Sequence, residues 1–193
     1  MIKLSRLPCP NQNALANGNY KHQDNKEALR ESSYKKCMYC ESKISHIDYG
    51  DVEHIKPKSI YPQLEFVWEN LGYACTRCNR QYKHDNYDIT TPFLNPFVDD
   101  PSDYIIASGS ILFTKHGDER GDITISGLGL NRLDLIEKRQ EKINEIDKVI
   151  KACFRTTNTI LRDNALSELK KEADDNKEYS FIIKSLFVLQ GIA

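Results

Sequence analysis

Four cysteines in two CxxC pairs are the residues whose types and spacing most directly predict a metal site. The pairs are Cys37-Met38-Tyr39-Cys40 and Cys75-Thr76-Arg77-Cys78, with 34 residues between them. Each pair lets two thiolates reach one ion from a tight turn, and two pairs complete the tetrahedral shell that zinc prefers. We therefore predict a closed, structural zinc knuckle. The alternative is a redox dithiol, but no βαβ pattern flanks either pair.

The segment held between the two pairs carries residue types suited to phosphodiester hydrolysis. An imidazole such as His54 can take a proton from water near neutral pH. A divalent ion such as Mg²⁺ or Mn²⁺ stabilises a leaving oxygen, and Glu53 and Asn79 offer it a carboxylate and an amide oxygen. Asn70 is expected to fix the loop or to orient His54 through a hydrogen bond.

The periodicity of a β-strand leaves the ligand set open. Alternation places Asp51 and Glu53 on one face and His54 on the other. Either the strand twists or ends at His54, which Pro57 favours, or Asp51 and Glu53 hold the ion together. Ordinary structural roles also exist for these residues, since an asparagine such as Asn79 can simply cap a helix.

The surrounding pattern predicts an α+β protein with a small β region and helices toward its C-terminus. Apolar residues recur at helical spacing from Asn131 onward, which indicates a long amphipathic helix. Further predicted elements are helices at 25–35, 79–84 and 177–189, a hairpin over 42–57 with Gly50 near its turn, and β-rich stretches at 104–116 and 122–128.

Hydropathy favours a cytoplasmic protein, and the net charge argues against a high-affinity stand-alone DNA binder. If the protein binds nucleic acid, it does so through a local patch or a partner. The net charge is -1, whereas high-affinity nucleic-acid binding comes mostly from phosphate neutralisation. No apolar run is long enough to span a bilayer, and the first residues lack the apolar core of a secretory signal. The basic residues near the site, which either contact phosphates or form solvated surface, are Lys56, Lys58, Arg77, Arg80 and Lys83. We predict phosphate contacts for Lys56, Lys58, Arg80 and Lys83.

The order of these motifs resembles the HNH endonuclease family in its zinc-knuckle branch. The resemblance covers about residues 36–85: a CxxC, then Glu53-His54-Ile55 before Pro57, then Trp68-Glu69-Asn70-Leu71, then CxxC followed by Asn79. It implies a ββα-metal fold in which His54 is the general base, Glu53 a metal ligand and Asn70 the support of the loop. The third motif position is often histidine in this family. Here it is Asn79, with His84 as a second candidate.

The whole chain also resembles the PtuB nucleases of Septu-type anti-phage systems and their retron-associated relatives. The residues that carry this resemblance include Leu94-Asn95-Pro96 and the run from Gly127 to Arg132. It implies an ATPase partner of the PtuA type. The amphipathic helix from Asn131 then either docks that partner or packs on the β region of its own chain.

These observations predict a metal-dependent HNH endonuclease that cuts DNA or RNA as the effector of an anti-phage complex with an ATPase. The predicted organisation is an extended N-terminal arm at 1–24, the nuclease core at 25–90, and a β patch with helices at 91–193. The competing hypothesis is a non-catalytic zinc-knuckle adaptor that binds nucleic acid or protein. An adaptor does not need an oxygen-rich pocket beside an imidazole, which argues against it.

Overall fold

A computed structural model describes residues 1–44, 49–84 and 86–192 of the chain. The described part contains helices and two small antiparallel sheets, which confirms the predicted α+β class. The α-helices are α1 (Gln12–Ala16), α2 (Gln23–Ser32), α3 (Glu119–Gly127), α4 (Leu133–Arg155), α5 (Thr159–Lys170) and α6 (Ser180–Leu189). The strands are β1 (Asp51–His54), β2 (Leu71–Ala74), β3 (Ile105–Ser108) and β4 (Ile111–Thr114).

The first sheet pairs β1 with β2, so the hairpin predicted over 42–57 is wrong for its described residues. Asp51 lies opposite Ala74 and His54 opposite Leu71. Residues 45–48 of that prediction lie outside the described residues. β2 takes the pairing because all four of its residues are buried, so its backbone needs an internal partner. Gly50 precedes β1 at φ +62°, and a Cβ there would lie 2.4 Å from the Tyr73 ring.

A helix with π-type hydrogen bonds follows β2 after two residues and completes a ββα order. It runs Arg77–Lys83, close to the predicted 79–84. The amide of His84 donates to the carbonyl of Asn79 at 2.8 Å, a five-residue step. This wider turn brings the side chains of Asn79 and Lys83 toward the same sheet, where they contact Asp51 and Glu53.

In the C-terminal region, one predicted β stretch is correct and one is wrong. β3 and β4 form a hairpin within 104–116, but 122–128 lies mostly in helix α3. The Asp118 carboxylate accepts a hydrogen bond from the amide of Gly121 at 2.7 Å, which caps α3. This cap and the burial of Ile125 outweigh the β propensity of the sequence. Helices α4 and α6 confirm two predictions, whereas the pattern did not indicate α5.

The N-terminal residues pack on the protein more closely than an extended arm implies. Met1, Ile2 and Leu4 are buried, and the Trp68 indole donates to the carbonyl of Leu7 at 3.0 Å. One buried apolar cluster runs through residues of all three predicted segments, and the division at 24 and 90 stays a prediction. Among the described residues, no helix is both long and apolar enough to cross a membrane.

Candidate active site and metal centre

The four CxxC cysteines converge on one buried point, as the spacing predicted. Their sulfur atoms all lie within 4.8 Å of one another, and none of the four is in a disulfide. Sulfurs arranged tetrahedrally at 2.3 Å from a zinc ion lie roughly 3.8 Å apart, and the Cys40 and Cys75 sulfurs are 3.9 Å apart. The donor set and its compactness therefore fit a closed four-thiolate metal centre.

Local hydrogen bonds and the first sheet position this cluster. Between the first pair, the amide of Met38 donates to the carbonyl of Tyr73 in β2 at 3.0 Å. The second pair begins directly after β2, and the amide of Cys78 donates to the Cys75 sulfur at 3.4 Å. The cluster thus fastens both ends of the segment that carries β1 and β2, and it sets where the π-helix begins.

A cavity of about 430 Å³ opens beside the first sheet. It gathers most of the residues that the sequence singled out for catalysis or ion binding. They are Asp51, Glu53, His54, Asn79, Lys83 and His84, with Lys58 and Arg80 also in the lining. Strand β1 ends at His54, as one of the two predicted arrangements requires. The end of the strand lets Glu53 and His54 both line the cavity although they are neighbours in sequence.

The His54 ring is held by a hydrogen bond that determines its neutral tautomer. Its Nε2 lies 3.0 Å from the carbonyl oxygen of Glu65. A carbonyl oxygen only accepts, so Nε2 carries the proton and Nδ1 keeps the lone pair. The ring is half-buried, and this burial lowers the pKa of His54 below its ordinary value of 6.5. The imidazole is therefore neutral at pH 7, in the state that accepts a proton.

The two carboxylates of the cavity each have basic or amide partners. Glu53 is buried, accepts a hydrogen bond from the Tyr39 hydroxyl at 3.1 Å and forms an ion pair with Lys83. Burial raises the pKa of Glu53 above its ordinary 4.5, although Lys83 opposes this shift. The Asp51 carboxylate accepts hydrogen bonds from the side-chain Nδ2 of Asn79 at 3.1 Å and from Arg80 Nε at 2.8 Å.

Asn70 lies outside the cavity lining and fixes the loop after β1. Its Oδ1 accepts from the amide of Lys56 at 2.8 Å, and its Nδ2 donates to the carbonyls of Lys56 at 3.0 Å and Leu64 at 3.2 Å. Each carboxamide atom therefore has a backbone partner. Pro57 and Lys58, which line the cavity, belong to the loop that these bonds hold.

The four predicted phosphate-binding residues occupy different environments. Lys83 is buried, and its ammonium contacts Glu53 and the carbonyl of His54, which differs from the surface position that phosphate binding implied. Arg80 is largely exposed. Lys58 is exposed at the cavity and pairs with Glu65 at 2.7 Å. Lys56 is also exposed, with its ammonium 5.4 Å from the centre of the Tyr61 ring.

Two aromatic residues next to the site were not predicted. Tyr20 packs edge-on against His54 with ring centres 4.6 Å apart, and Tyr39 contacts Glu53. Tyr20 belongs to the N-terminal segment, whose sequence pattern does not relate it to β1. Tyr39 lies inside the first CxxC pair, where the cysteines alone explained the motif.

Comparison with known proteins identifies the relatives of this chain. Residues 37–85, which contain the cysteine cluster and the cavity carboxylates, match the family model described as HNH endonuclease. The chain is 34% identical over 178 residues to the Septu protein PtuB of Bacillus thuringiensis, covering 83% of this chain and 67% of that protein. It is 30% identical over 188 residues to the Septu protein PtuB of Bacillus mycoides (strain KBAB4), covering 80% and 64%.

The chain thus spans about two thirds of the length of these relatives. Its similarity to them extends well beyond the segment that matches the HNH model. The chain belongs to the family of the Septu protein PtuB, and its residues 37–85 form a domain of the HNH endonuclease type.

Proposed function

We propose that this protein is a metal-dependent HNH endonuclease that hydrolyses phosphodiester bonds of nucleic acid. The observation that carries the proposal is the state of His54. Its Nε2 is committed to the Glu65 carbonyl, so Nδ1 is the basic atom of a neutral imidazole beside a cavity lined with carboxylates and amides. That combination suits the removal of a proton from an attacking water.

The donor atoms of the cavity fit a hard divalent ion. Glu53, Asn79 and Asp51 offer carboxylate and amide oxygens, which Mg²⁺ or Mn²⁺ prefers. When bound, such an ion stabilises the charge that develops on the leaving oxygen. His84 also lines the cavity and is the alternative ligand or phosphate contact. The four-cysteine cluster, in contrast, is a soft and closed donor set, and we assign zinc to it in a structural role.

Each remaining site residue has a role in this proposal. Asn70 holds the loop that carries Lys58 to the rim of the cavity. Exposed Lys56, Lys58 and Arg80 supply positive charge for the phosphate backbone of DNA or RNA. Lys83 balances the buried charge of Glu53 in the absence of the ion.

Family membership supports a role in anti-phage defence, together with an ATPase partner of the PtuA type, and we propose that the protein acts in the cytoplasm. The net charge of -1 agrees with this arrangement, because the chain alone carries little long-range attraction for nucleic acid. A partner that supplies further phosphate contacts removes this limitation.

One observation favours the competing adaptor function. Both cavity carboxylates already have basic partners, Lys83 for Glu53 and Arg80 for Asp51. A domain that had lost catalysis would keep such pairs and the cysteine cluster while binding nucleic acid or protein without cutting it.

A nuclease assay separates the two functions. The native chain and His54→Ala are incubated with labelled DNA and RNA, alone and with the ATPase, in Mg²⁺, Mn²⁺ or EDTA. We expect cleavage that requires the divalent ion and His54, with 5′-phosphate and 3′-hydroxyl ends because the 3′ oxygen leaves. Binding without cleavage under every condition would instead support the adaptor.

A further inference from the structure

A buried arginine from the C-terminal half of the chain reaches the cysteine cluster. Arg132 immediately precedes helix α4, and its side chain is only 6% exposed. Its Nη1 donates to the sulfur of Cys78 at 3.5 Å and to the carbonyl of Gly129 at 3.1 Å. The residue is 54 positions away from Cys78, so this contact joins two distant parts of the chain.

The charge of a four-thiolate metal centre explains why a cation lies there. Four thiolates around a divalent ion leave two net negative charges, and burial makes such charge costly unless a cation is near. All four cysteines are buried. Among the described residues, Arg132 donates a hydrogen bond from its guanidinium to one of these sulfurs, that of Cys78. Asp134 lies 3.5 Å from its Nε and offsets part of its charge.

The same guanidinium also contacts the π-helix. Its central carbon lies 5.6 Å from the centre of the Tyr82 ring, within the range of a cation–π interaction. Tyr82 in turn packs under Gly129, where a Cβ atom would lie 2.2 Å from the ring. Arg132 therefore contacts the cysteine cluster, the π-helix that carries Asn79 and Lys83, and the turn before α4.

We propose that Arg132 is the counter-charge of the four-cysteine metal centre, that it slows loss of the metal, and that it couples this centre to the C-terminal half of the chain. The inference rests on the proposed zinc occupancy of the cluster. It does not depend on nuclease activity, because Arg132 is not part of the cavity lining. It is a positioning residue that acts through Cys78 and Tyr82.

The test measures transfer of zinc from the full chain to a chromogenic chelator. Native protein is compared with Arg132→Gln, which removes the charge, and Arg132→Lys, which keeps the charge but loses the planar fork. Arg155→Gln is the matched control, since Arg155 is exposed at the opposite end of helix α4. We expect transfer from Arg132→Gln to be about 10-fold to 100-fold faster than native, from Arg132→Lys to be intermediate, and from Arg155→Gln to be unchanged.

A second readout separates a charge effect from a general loss of packing. In cobalt-substituted protein, removal of the Cys78 hydrogen bond is expected to shift the thiolate-to-cobalt absorption band in Arg132→Gln and not in Arg155→Gln. Native transfer rates in both Arg132 variants would overturn the inference, and if Arg132→Gln fails to fold, a native rate in Arg132→Lys alone would do so. Absence of zinc from folded native protein would overturn the zinc assignment itself and the inference with it.

Discussion

Replacing the Asn70 carboxamide tests the positioning of the loop beside the cavity. Asn70→Ala removes three hydrogen bonds, to the amide and carbonyl of Lys56 and to the carbonyl of Leu64. A net hydrogen bond contributes about 1 kcal/mol, and a buried group left unpaired costs more. Asn70 is 6% exposed, so water does not fully replace the lost partners. We expect a loss of about 2–4 kcal/mol, which lowers the melting temperature by about 5–15 °C.

The isosteric change Asn70→Asp tests the hydrogen bonds of Nδ2 without removing side-chain volume. An aspartate keeps the acceptor for the Lys56 amide, but it places an oxygen against the two carbonyls that Nδ2 now contacts. Repulsion between these oxygens makes this variant at least as destabilised as Asn70→Ala, although no atom is removed. The matched control is Asn144→Asp on the exposed surface of α4, where a change below about 0.5 kcal/mol is expected.

Chemical denaturation followed by circular dichroism measures both effects, with cleavage rates recorded well below each melting temperature. Displacement of the loop is expected to lower kcat in both Asn70 variants even where they are fully folded. Native stability of Asn70→Asp would refute the hydrogen-bond assignment. Native cleavage by a destabilised Asn70→Ala would show that the loop does not position the site.

Four further changes test other parts of the account. Cys75→Ser is expected to lose the metal and unfold the domain, as seen by metal analysis and circular dichroism. Lys83→Met leaves Glu53 buried without its cation and should lower the free energy of unfolding by about 3–5 kcal/mol in denaturation experiments. Lys58→Met, which breaks the exposed pair with Glu65, should lower it by less than about 1 kcal/mol. Because burial lowers the pKa of His54 below 6.5, the imidazole is neutral at pH 7. With His54 as the proposed base, kcat/KM should be level near pH 7 and fall only under more acidic conditions. Tyr20→Ala should reduce kcat more than Tyr20→Phe, since the phenylalanine ring preserves the edge contact with His54.

The cysteine cluster was predictable because its four residues are recognised by their spacing in the sequence. Each CxxC pair brings two sulfurs together through a tight turn, and tetrahedral zinc needs two such pairs. The convergence of Glu53, His54 and Asn79 on one cavity was predictable from the same motifs, since the cysteine cluster fixes the segment that holds them at both ends.

The structure differs from the sequence predictions where tertiary packing determines the local structure. The sequence pattern predicts a partner for β1 close to Gly50, but the partner is the fully buried β2. No alternation of polar and apolar residues indicates β2 as a strand. The isoleucine-threonine run at 122–128 has high β propensity, yet the Asp118 cap and burial of one face make it helical. Tyr20 and Arg132 reach the two sites from far along the chain, and one sequence does not indicate such contacts.

The cleavage rate of His54→Ala at saturating Mg²⁺ tests the central claim most directly. In the proposed mechanism His54, with its proton on Nε2, is the general base, and general-base catalysis of this kind is worth about 10²–10⁴-fold. We predict that the variant keeps the native fold, binds zinc in equal amount and loses cleavage by at least that factor. A folded, zinc-loaded His54→Ala protein that cuts nucleic acid at the native rate would contradict the account.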